Sequence, residues 1–178
     1  AKVVEMSRGV SAQMSKGVEY LLKKNKVTVI QGEGSVKEGK IVSVNGPEGV
    51  VEYGADHIIL ATGARPNSLP FAPIDGEKII SYFQALVPEK LPKSLAIIGS
   101  GAIGSEFAFF YKSMGVEQVH LIEYVDRIVP LEDDEVSAQL SRSFRKMGIK
   151  VMVSAQVQGV DTTDDLCKVT VQTKKGVE

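Results

Sequence analysis

In this 178-residue chain, a glycine-rich turn and one carboxylate are placed so that they could bind a phosphate and a sugar. The turn fits the pattern G-x-G-x-x-G and consists of Gly99, Ser100, Gly101, Ala102, Ile103 and Gly104. In such a turn the first glycine permits a tight bend, the second admits a pyrophosphate, and the third lets a helix pack closely on a strand. Glu123 follows Gly104 by nineteen residues, near the roughly twenty expected of an acid that binds ribose hydroxyls. The spacing predicts a dinucleotide site.

The elements around the turn are those that such a site needs. Residues 95–98 are an unbroken apolar run, typical of a strand buried in a parallel sheet. A helix should follow, because apolar residues recur at helical spacing as far as Met114 and Gly115 is placed to end it. Residues 119–122 then predict a second buried strand that ends at Glu123. Free N–H groups and the dipole at the helix N-terminus would face the pyrophosphate.

The pattern continues after the acid. A helix is predicted from the apolar stripe of Val136, Leu140, Phe144 and Met147, with Gly148 after it and a third strand at residues 149–153. A βαβαβ unit is therefore expected over residues 95–153. A further hairpin is expected from residues 157–160 and 168–173.

The acid also predicts the choice of cofactor. A 2′-phosphate would meet the negative charge of Glu123, so NAD is expected rather than NADP. Arg127 lies beyond Glu123 and does not replace it. We interpret this arginine as a solvated loop charge.

The first part of the chain predicts a helix and several strands. An amphipathic helix carries the apolar stripe Met6, Val10, Met14, Val18, Leu21 and Leu22, which we interpret as core packing, and Asn25 is suited to cap it in the left-handed conformation. Residues 27–30 read as a strand and residues 31–34 as a turn. Alternating residues 40–44 and 50–53 flank turn residues and predict a hairpin.

A second apolar strand, residues 57–61, should deliver Thr62 and Gly63 to the carboxyl edge of a sheet, where α/β proteins bind ligands. A short helix is expected at residues 81–86. The proline-rich residues 87–92 resemble a linker. We therefore place a domain boundary between residues 87 and 88.

Composition narrows the class of protein. Hydrophobic residues make up 43% of the chain, charged residues 24%, and the net charge is −1. This balance gives no electrostatic footprint for nucleic acid or an anionic membrane, and no apolar run reaches the roughly eighteen residues of a membrane span. The single cysteine, Cys167, excludes an internal disulfide and is interpreted as structural. His57 and His120 are interpreted as packing residues, and no metal site is predicted.

Three stretches resemble the dihydrolipoamide dehydrogenases, a branch of the flavoprotein pyridine nucleotide-disulfide oxidoreductase family. They are residues 99–106 (GSGAIGSE), residues 61–66 (ATGARP) and residues 16–25 (KGVEYLLKKN). The resemblance implies an α/β fold in two parts. Residues 1–87 would be the C-terminal part of an FAD-binding domain with an antiparallel β-meander. Residues 88–178 would be a Rossmann-like, three-layer NAD-binding domain, incomplete at its C-terminus.

The resemblance also implies site residues. Contacts to FAD are expected from Gly34, Thr62, Gly63 and Ala64. Contacts to NAD are expected from Gly99, Ser100, Gly101, Ala102, Ile103, Gly104, Ser105, Glu106, Glu123 and Val157. Glu106 would also pair with a flavin-side lysine outside this chain. Its alternative role is that of an acid in the first turns of a helix, stabilised by about 0.3–1 kcal/mol through the dipole.

The implied activity is FAD-dependent oxidation of dihydrolipoamide with reduction of NAD, in 2-oxo-acid dehydrogenase complexes. The implied partners are a dihydrolipoyl domain and a second copy in a homodimer, with a cytoplasmic location in bacteria or a mitochondrial or plastid one in eukaryotes. The chain reads as an internal fragment without the redox cysteine pair, so alone it is expected to be inactive. Two alternatives remain: another NAD(P)H-dependent disulfide reductase or peroxidase of the superfamily, and an NAD-binding sensor module.

Overall fold

The computed structural model of the protein describes residues 2–163 and 165–177. The chain divides into two compact units between Arg65 and Pro66. The first unit contains α1 (Lys2–Lys24), β1 (Glu33–Lys37), β2 (Ile41–Gly46) and β3 (Gly49–Gly54). Its strands form an antiparallel sheet in the order β1-β2-β3. The expected hairpin is confirmed and is extended by β1 into the expected meander.

The apolar stripe of α1 is not buried in the first unit, contrary to the expectation of core packing. None of the helix residues is buried, and Met6 and Met14 are each 67% exposed. The helix also ends differently from the prediction. The left-handed residue is Lys26, with φ 57°, whereas Asn25 caps through its side-chain amide, which donates to the Leu21 carbonyl at 2.8 Å.

Two expected strands of the first unit do not form. Residues 27–30 and 57–61 have irregular backbone, and Gly34 lies in β1 instead of in a turn. Ile59 is 90% exposed. A strand exists only when its N–H and C=O groups pair with a neighbour, and no strand in the described part of the chain pairs with either segment.

The second unit contains a parallel sheet with helical crossovers. Its elements are α2 (Tyr82–Leu86), β4 (Ser94–Ile98), α3 (Ala102–Ser113), β5 (Gln118–Ile122), α4 (Asp134–Lys146), β6 (Ile149–Met152), β7 (Gln156–Asp161), β8 (Lys168–Thr173) and β9 (Gly176–Val177). The parallel order is β4-β5-β6, and β7-β8-β9 form an antiparallel sheet. The expected βαβαβ unit and second hairpin are confirmed.

The two faces of the parallel sheet bury different partners. Leu121 packs in a cluster with Tyr111 of α3 and Phe144 of α4. Ile122, the next residue, packs with Val157 of the antiparallel sheet. Successive strand residues point to opposite faces, so the parallel sheet lies between a helical layer and an antiparallel layer. This arrangement agrees with the expected three-layer fold.

Local signals fix the ends of the helices in the second unit. Ser81 caps α2 in a capping box with Gln84, and Gly115 and Gly148 follow α3 and α4 with φ of 96° and 79°, as expected of left-handed C-terminal glycines. Tyr111 ties α2 to α3, because its hydroxyl donates to the Ala85 carbonyl at 2.8 Å. The sequence also predicts a boundary between residues 87 and 88, which would separate an FAD-binding part from an NAD-binding part. This boundary stays a prediction.

Candidate dinucleotide-binding site

The glycine turn leaves β4 through a bend that suits glycine. Gly99 has φ 95°, a left-handed conformation that residues with a Cβ rarely adopt. Its N–H donates to the Ile122 carbonyl at 2.8 Å. The end of β4 and the end of β5 are therefore held together where the site is expected.

Gly104 and Gly101 have different surroundings. A Cβ on Gly104 would lie 2.0 Å from the Gly99 carbonyl oxygen and 3.3 Å from the Ile97 side chain, so only glycine permits this approach of helix to strand. A Cβ on Gly101 would meet no atom within 4 Å. The space above Gly101 is open, as the approach of a pyrophosphate requires.

The N-terminus of α3 provides hydrogen-bond donors beside this space. Gly101 is the N-cap and supplies no side-chain cap, and the Ser105 N–H donates to the Gly101 carbonyl at 3.0 Å. The three N–H groups before Ser105, of which Ala102 and Ile103 are exposed residues, have no acceptor within the helix. Together with the helix dipole, they make this end of α3 favourable for an anion.

Glu123 contacts the turn directly. Its carboxylate is buried, with the residue 8% exposed. Oε2 accepts hydrogen bonds from the Ser100 N–H at 2.8 Å and the Ser100 hydroxyl at 2.7 Å, and Oε1 accepts one from the Val125 N–H at 3.1 Å. The acid and the glycine turn, which are far apart in sequence, form one site.

The charge of Glu123 is stabilised by these donors. Burial by itself raises the pKa of the carboxyl, but the hydrogen bonds from the Ser100 hydroxyl, the Ser100 N–H and the Val125 N–H outweigh it, so the pKa is lowered. Glu123 is therefore ionised at neutral pH. An anion at this position disfavours a 2′-phosphate by repulsion.

The hydrogen bond from Ser100 to Glu123 is the feature that sequence reasoning missed, although Ser100 itself was expected to contact NAD. Ser100 is fully buried, and its carbonyl accepts from the Ser105 hydroxyl at 3.0 Å and from the Val129 N–H at 2.9 Å. The only feature of the sequence that pointed to the contact with Glu123 was a residue with a hydroxyl group between two glycines. Nothing in the spacing showed that this hydroxyl would meet Glu123.

The other expected NAD residues occupy distinct positions. Val157 is 7% exposed and packs with Ile122, so its side chain belongs to the core between the two sheets. Glu106 is exposed on α3. Arg127 was expected to be a solvated loop charge. It is an exposed loop residue, as expected, and it forms a surface ion pair with Asp134 at 3.0 Å.

The four residues expected to contact FAD all belong to the first unit. Gly34 is an exposed residue of β1. Thr62, Gly63 and Ala64 are exposed in the irregular segment before Pro66, where Gly63 has φ 77°. A positive φ at Gly63 marks a backbone turn that a side chain would strain.

The remaining titratable candidates do not join the site. His120 is half-buried in β5, where burial and then the charge of Lys150 lower its pKa, in line with a packing role. Cys167 is an exposed free thiol. None of the helices in residues 2–163 and 165–177 has the length and apolar composition that a membrane crossing requires.

A glycine turn at the first crossover of a βαβαβ unit, with an acid at the end of the second strand, defines a dinucleotide-binding protein. The chain belongs to the pyridine nucleotide-disulphide oxidoreductase family, whose profile matches residues 1–178. Similar curated proteins include a dihydrolipoyl dehydrogenase of Rhizobium etli, 46% identical over 89% of this chain and 36% of that protein. A mitochondrial dihydrolipoyl dehydrogenase of Pisum sativum is 40% identical over 94% of this chain and 33% of that protein.

Solved structures agree with this assignment. The crystal structure of LpdA from Mycobacterium tuberculosis superposes with a TM-score of 0.85 and 28% identity, covering 99% of this chain and 40% of that one. The expected family, its α/β fold and its cofactors FAD and NAD are thereby confirmed. The chain spans only 36% of the R. etli relative.

Proposed function

We propose that this chain is the central cofactor-binding part of an FAD-dependent oxidoreductase that oxidises dihydrolipoamide and reduces NAD. Residues 88–178 belong to the NAD-binding domain, and residues 1–87 belong to the FAD-binding domain. The high identity to dihydrolipoyl dehydrogenases supports this substrate. The observation that carries the proposal is the hydrogen-bonded contact between the glycine turn and the buried Glu123 carboxylate.

The residues of this chain bind and select the nucleotide. The N–H groups at the start of α3 hold the pyrophosphate above Gly101, and Glu123 accepts hydrogen bonds from the adenosine ribose hydroxyls. Arg127 forms an ion pair with Asp134, and we therefore do not assign it to the binding of a 2′-phosphate. When bound, FAD carries electrons from the dithiol substrate to NAD.

Glu106 has a supporting role in this proposal. It is an exposed residue near the N-terminus of α3, two residues after Gly104. We assign its carboxylate to a lysine beside the flavin, contributed from outside this chain. Gly34, Thr62, Gly63 and Ala64 contact FAD.

The proposed partners are a dihydrolipoyl domain of a 2-oxo-acid dehydrogenase complex and a second copy of the full-length protein in a homodimer. The proposed location is the cytoplasm of a bacterium, or a mitochondrion or plastid in a eukaryote. Relatives from R. etli and from pea mitochondria support both settings.

Flavin content separates this proposal from an NAD-binding sensor module. The full-length protein should purify with bound flavin, since Thr62 and Gly63 are proposed to contact it. The other disulfide reductases and peroxidases of the superfamily also hold flavin, and the spacing of the redox cysteines in the full-length sequence distinguishes them. Protein that purifies without flavin and binds none would favour the sensor.

The test of NAD binding is Glu123→Arg in the full-length protein. Exchanging the carboxylate for a guanidinium should weaken NAD at least about tenfold and strengthen NADP, because the cation suits a 2′-phosphate. Titration of both cofactors measures the change. Glu117→Arg, the same charge reversal at an exposed residue beside β5, should leave the NAD/NADP ratio unaltered. An unchanged ratio in Glu123→Arg would refute the assignment.

A further inference from the structure

Ser100 places two donors on one carboxylate oxygen. Its hydroxyl proton and its N–H both point to Glu123 Oε2, at 2.7 and 2.8 Å. A carboxylate offers about four lone-pair positions, two on each oxygen. The lone pairs of Oε2 are therefore used by Ser100 alone.

The other oxygen keeps capacity for a ligand. Oε1 accepts from the Val125 N–H at 3.1 Å, which is longer than either contact of Oε2, and the neighbouring Tyr124 N–H also favours the charged carboxylate. Since Oε2 is saturated, Oε1 is the atom with which Glu123 can accept a further hydrogen bond. Oε1 is therefore the better placed acceptor for a ribose hydroxyl.

Ser100 is itself held in place from two sides. Its carbonyl accepts from the Ser105 hydroxyl of α3 and from the Val129 N–H of the loop after β5. The residue is fully buried. Its position is thus fixed by the fold and does not depend on the ligand.

We propose that Ser100 is a positioning residue for cofactor choice: its hydroxyl fixes the rotation of the Glu123 carboxylate, so that Oε1 is presented to the ribose. This inference rests on the proposed NAD site. Removing the hydroxyl leaves the Ser100 N–H bond and the negative charge in place. It loosens the orientation of the carboxylate without removing the repulsion of a 2′-phosphate.

Orientation and charge therefore have separable effects. Ser100→Ala should weaken NAD about fivefold, the effect of one lost orienting hydrogen bond, and leave NADP unchanged. Glu123→Ala should weaken NAD and strengthen NADP, because the charge is also lost. In the Glu123→Ala background, Ser100→Ala should have no further effect on NAD.

The experiment is calorimetric titration of NAD and NADP into the full-length protein and these three variants. Ser137→Ala is the matched control, since Ser137 is 2% exposed and its hydroxyl donates to the Ile128 carbonyl at 2.7 Å, away from Glu123. This control should bind NAD within about twofold of wild type. Ser100→Cys, which replaces the hydroxyl with a somewhat larger thiol that is only a weak donor, should also weaken NAD and serves if the alanine variant does not fold.

Two outcomes would overturn the positioning role. One is wild-type NAD affinity in folded Ser100→Ala or Ser100→Cys. The other is an equal loss of NAD affinity with and without Glu123, which would mean that the hydroxyl only stabilises the turn. If Glu123→Ala itself leaves NAD affinity unchanged, the proposed NAD site fails instead.

Discussion

At the residue scale, two glycines of the same turn meet opposite steric conditions. Gly104 has a carbonyl oxygen 2.0 Å from where a Cβ would lie, whereas Gly101 has open space. Gly101 also has φ −61° and ψ −177°, which residues with side chains adopt without strain. A side chain at Gly101 is therefore compatible with the fold but not with a pyrophosphate in that space.

Gly101→Val tests this separation in the full-length protein. The branched side chain should fill the space at the start of α3 and reduce NAD affinity at least about tenfold. Bound flavin and the thermal midpoint should stay near wild type. Gly54→Val, at another glycine with open space, provides the control and should bind NAD normally. A folded Gly101→Val protein with wild-type NAD affinity would place the pyrophosphate elsewhere.

At the element scale, α2 is a helix of five residues that depends on α3. Ala85 packs in the same cluster as Tyr111, and the Tyr111 hydroxyl donates to the Ala85 carbonyl. Burial raises the pKa of this hydroxyl, so it remains a donor at neutral pH. A five-residue helix is unstable by itself, so this contact is important for holding it.

Tyr111→Phe should destabilise the protein by about 1–3 kcal/mol, because a buried carbonyl loses its donor. The ring and its edge contact with Phe110, with centroids 5.3 Å apart, remain. Urea unfolding of the full-length protein, followed by circular dichroism, measures the loss. The matched change Tyr124→Phe, at a residue of the second unit that is 70% exposed, should alter stability by less than about 0.5 kcal/mol. Equal stability of Tyr111→Phe and wild type would contradict the argument.

Helices and strands were predictable from sequence where short sequence motifs fix their ends, or where the strands that they pair with lie in the described part of the chain. The βαβαβ unit formed as expected because its strands pair with one another and each of its helices is followed by a left-handed glycine. Residues 27–30 and 57–61 have equally clear apolar patterns but no partner strand in the described part of the chain. The Ser100–Glu123 contact depends on tertiary approach and side-chain rotation, neither of which spacing encodes.

At the scale of the whole molecule, apolar surface lies open in the first unit. The stripe of α1 is exposed at Met6, Val10, Met14, Val18 and Leu21, and Ile59 and Leu60 are exposed beside the expected FAD residues. Contiguous apolar surface of this kind is typical of an interface. The chain covers only 36% of its R. etli relative. We propose that the rest of the full-length protein covers this apolar surface.

The 178-residue chain expressed alone should therefore lack the activity proposed for the full-length protein. Its single cysteine, Cys167, supplies no dithiol pair to receive electrons from dihydrolipoamide. The residues proposed to contact FAD lie beside strands that have not formed, so little or no FAD should be retained. The glycine turn and Glu123 are intact, so weak NAD binding is expected to remain. The assay follows NADH formation from dihydrolipoamide and NAD with FAD added, and the full-length protein is the positive control. Turnover well above a no-protein control would show that the catalytic groups lie within these residues.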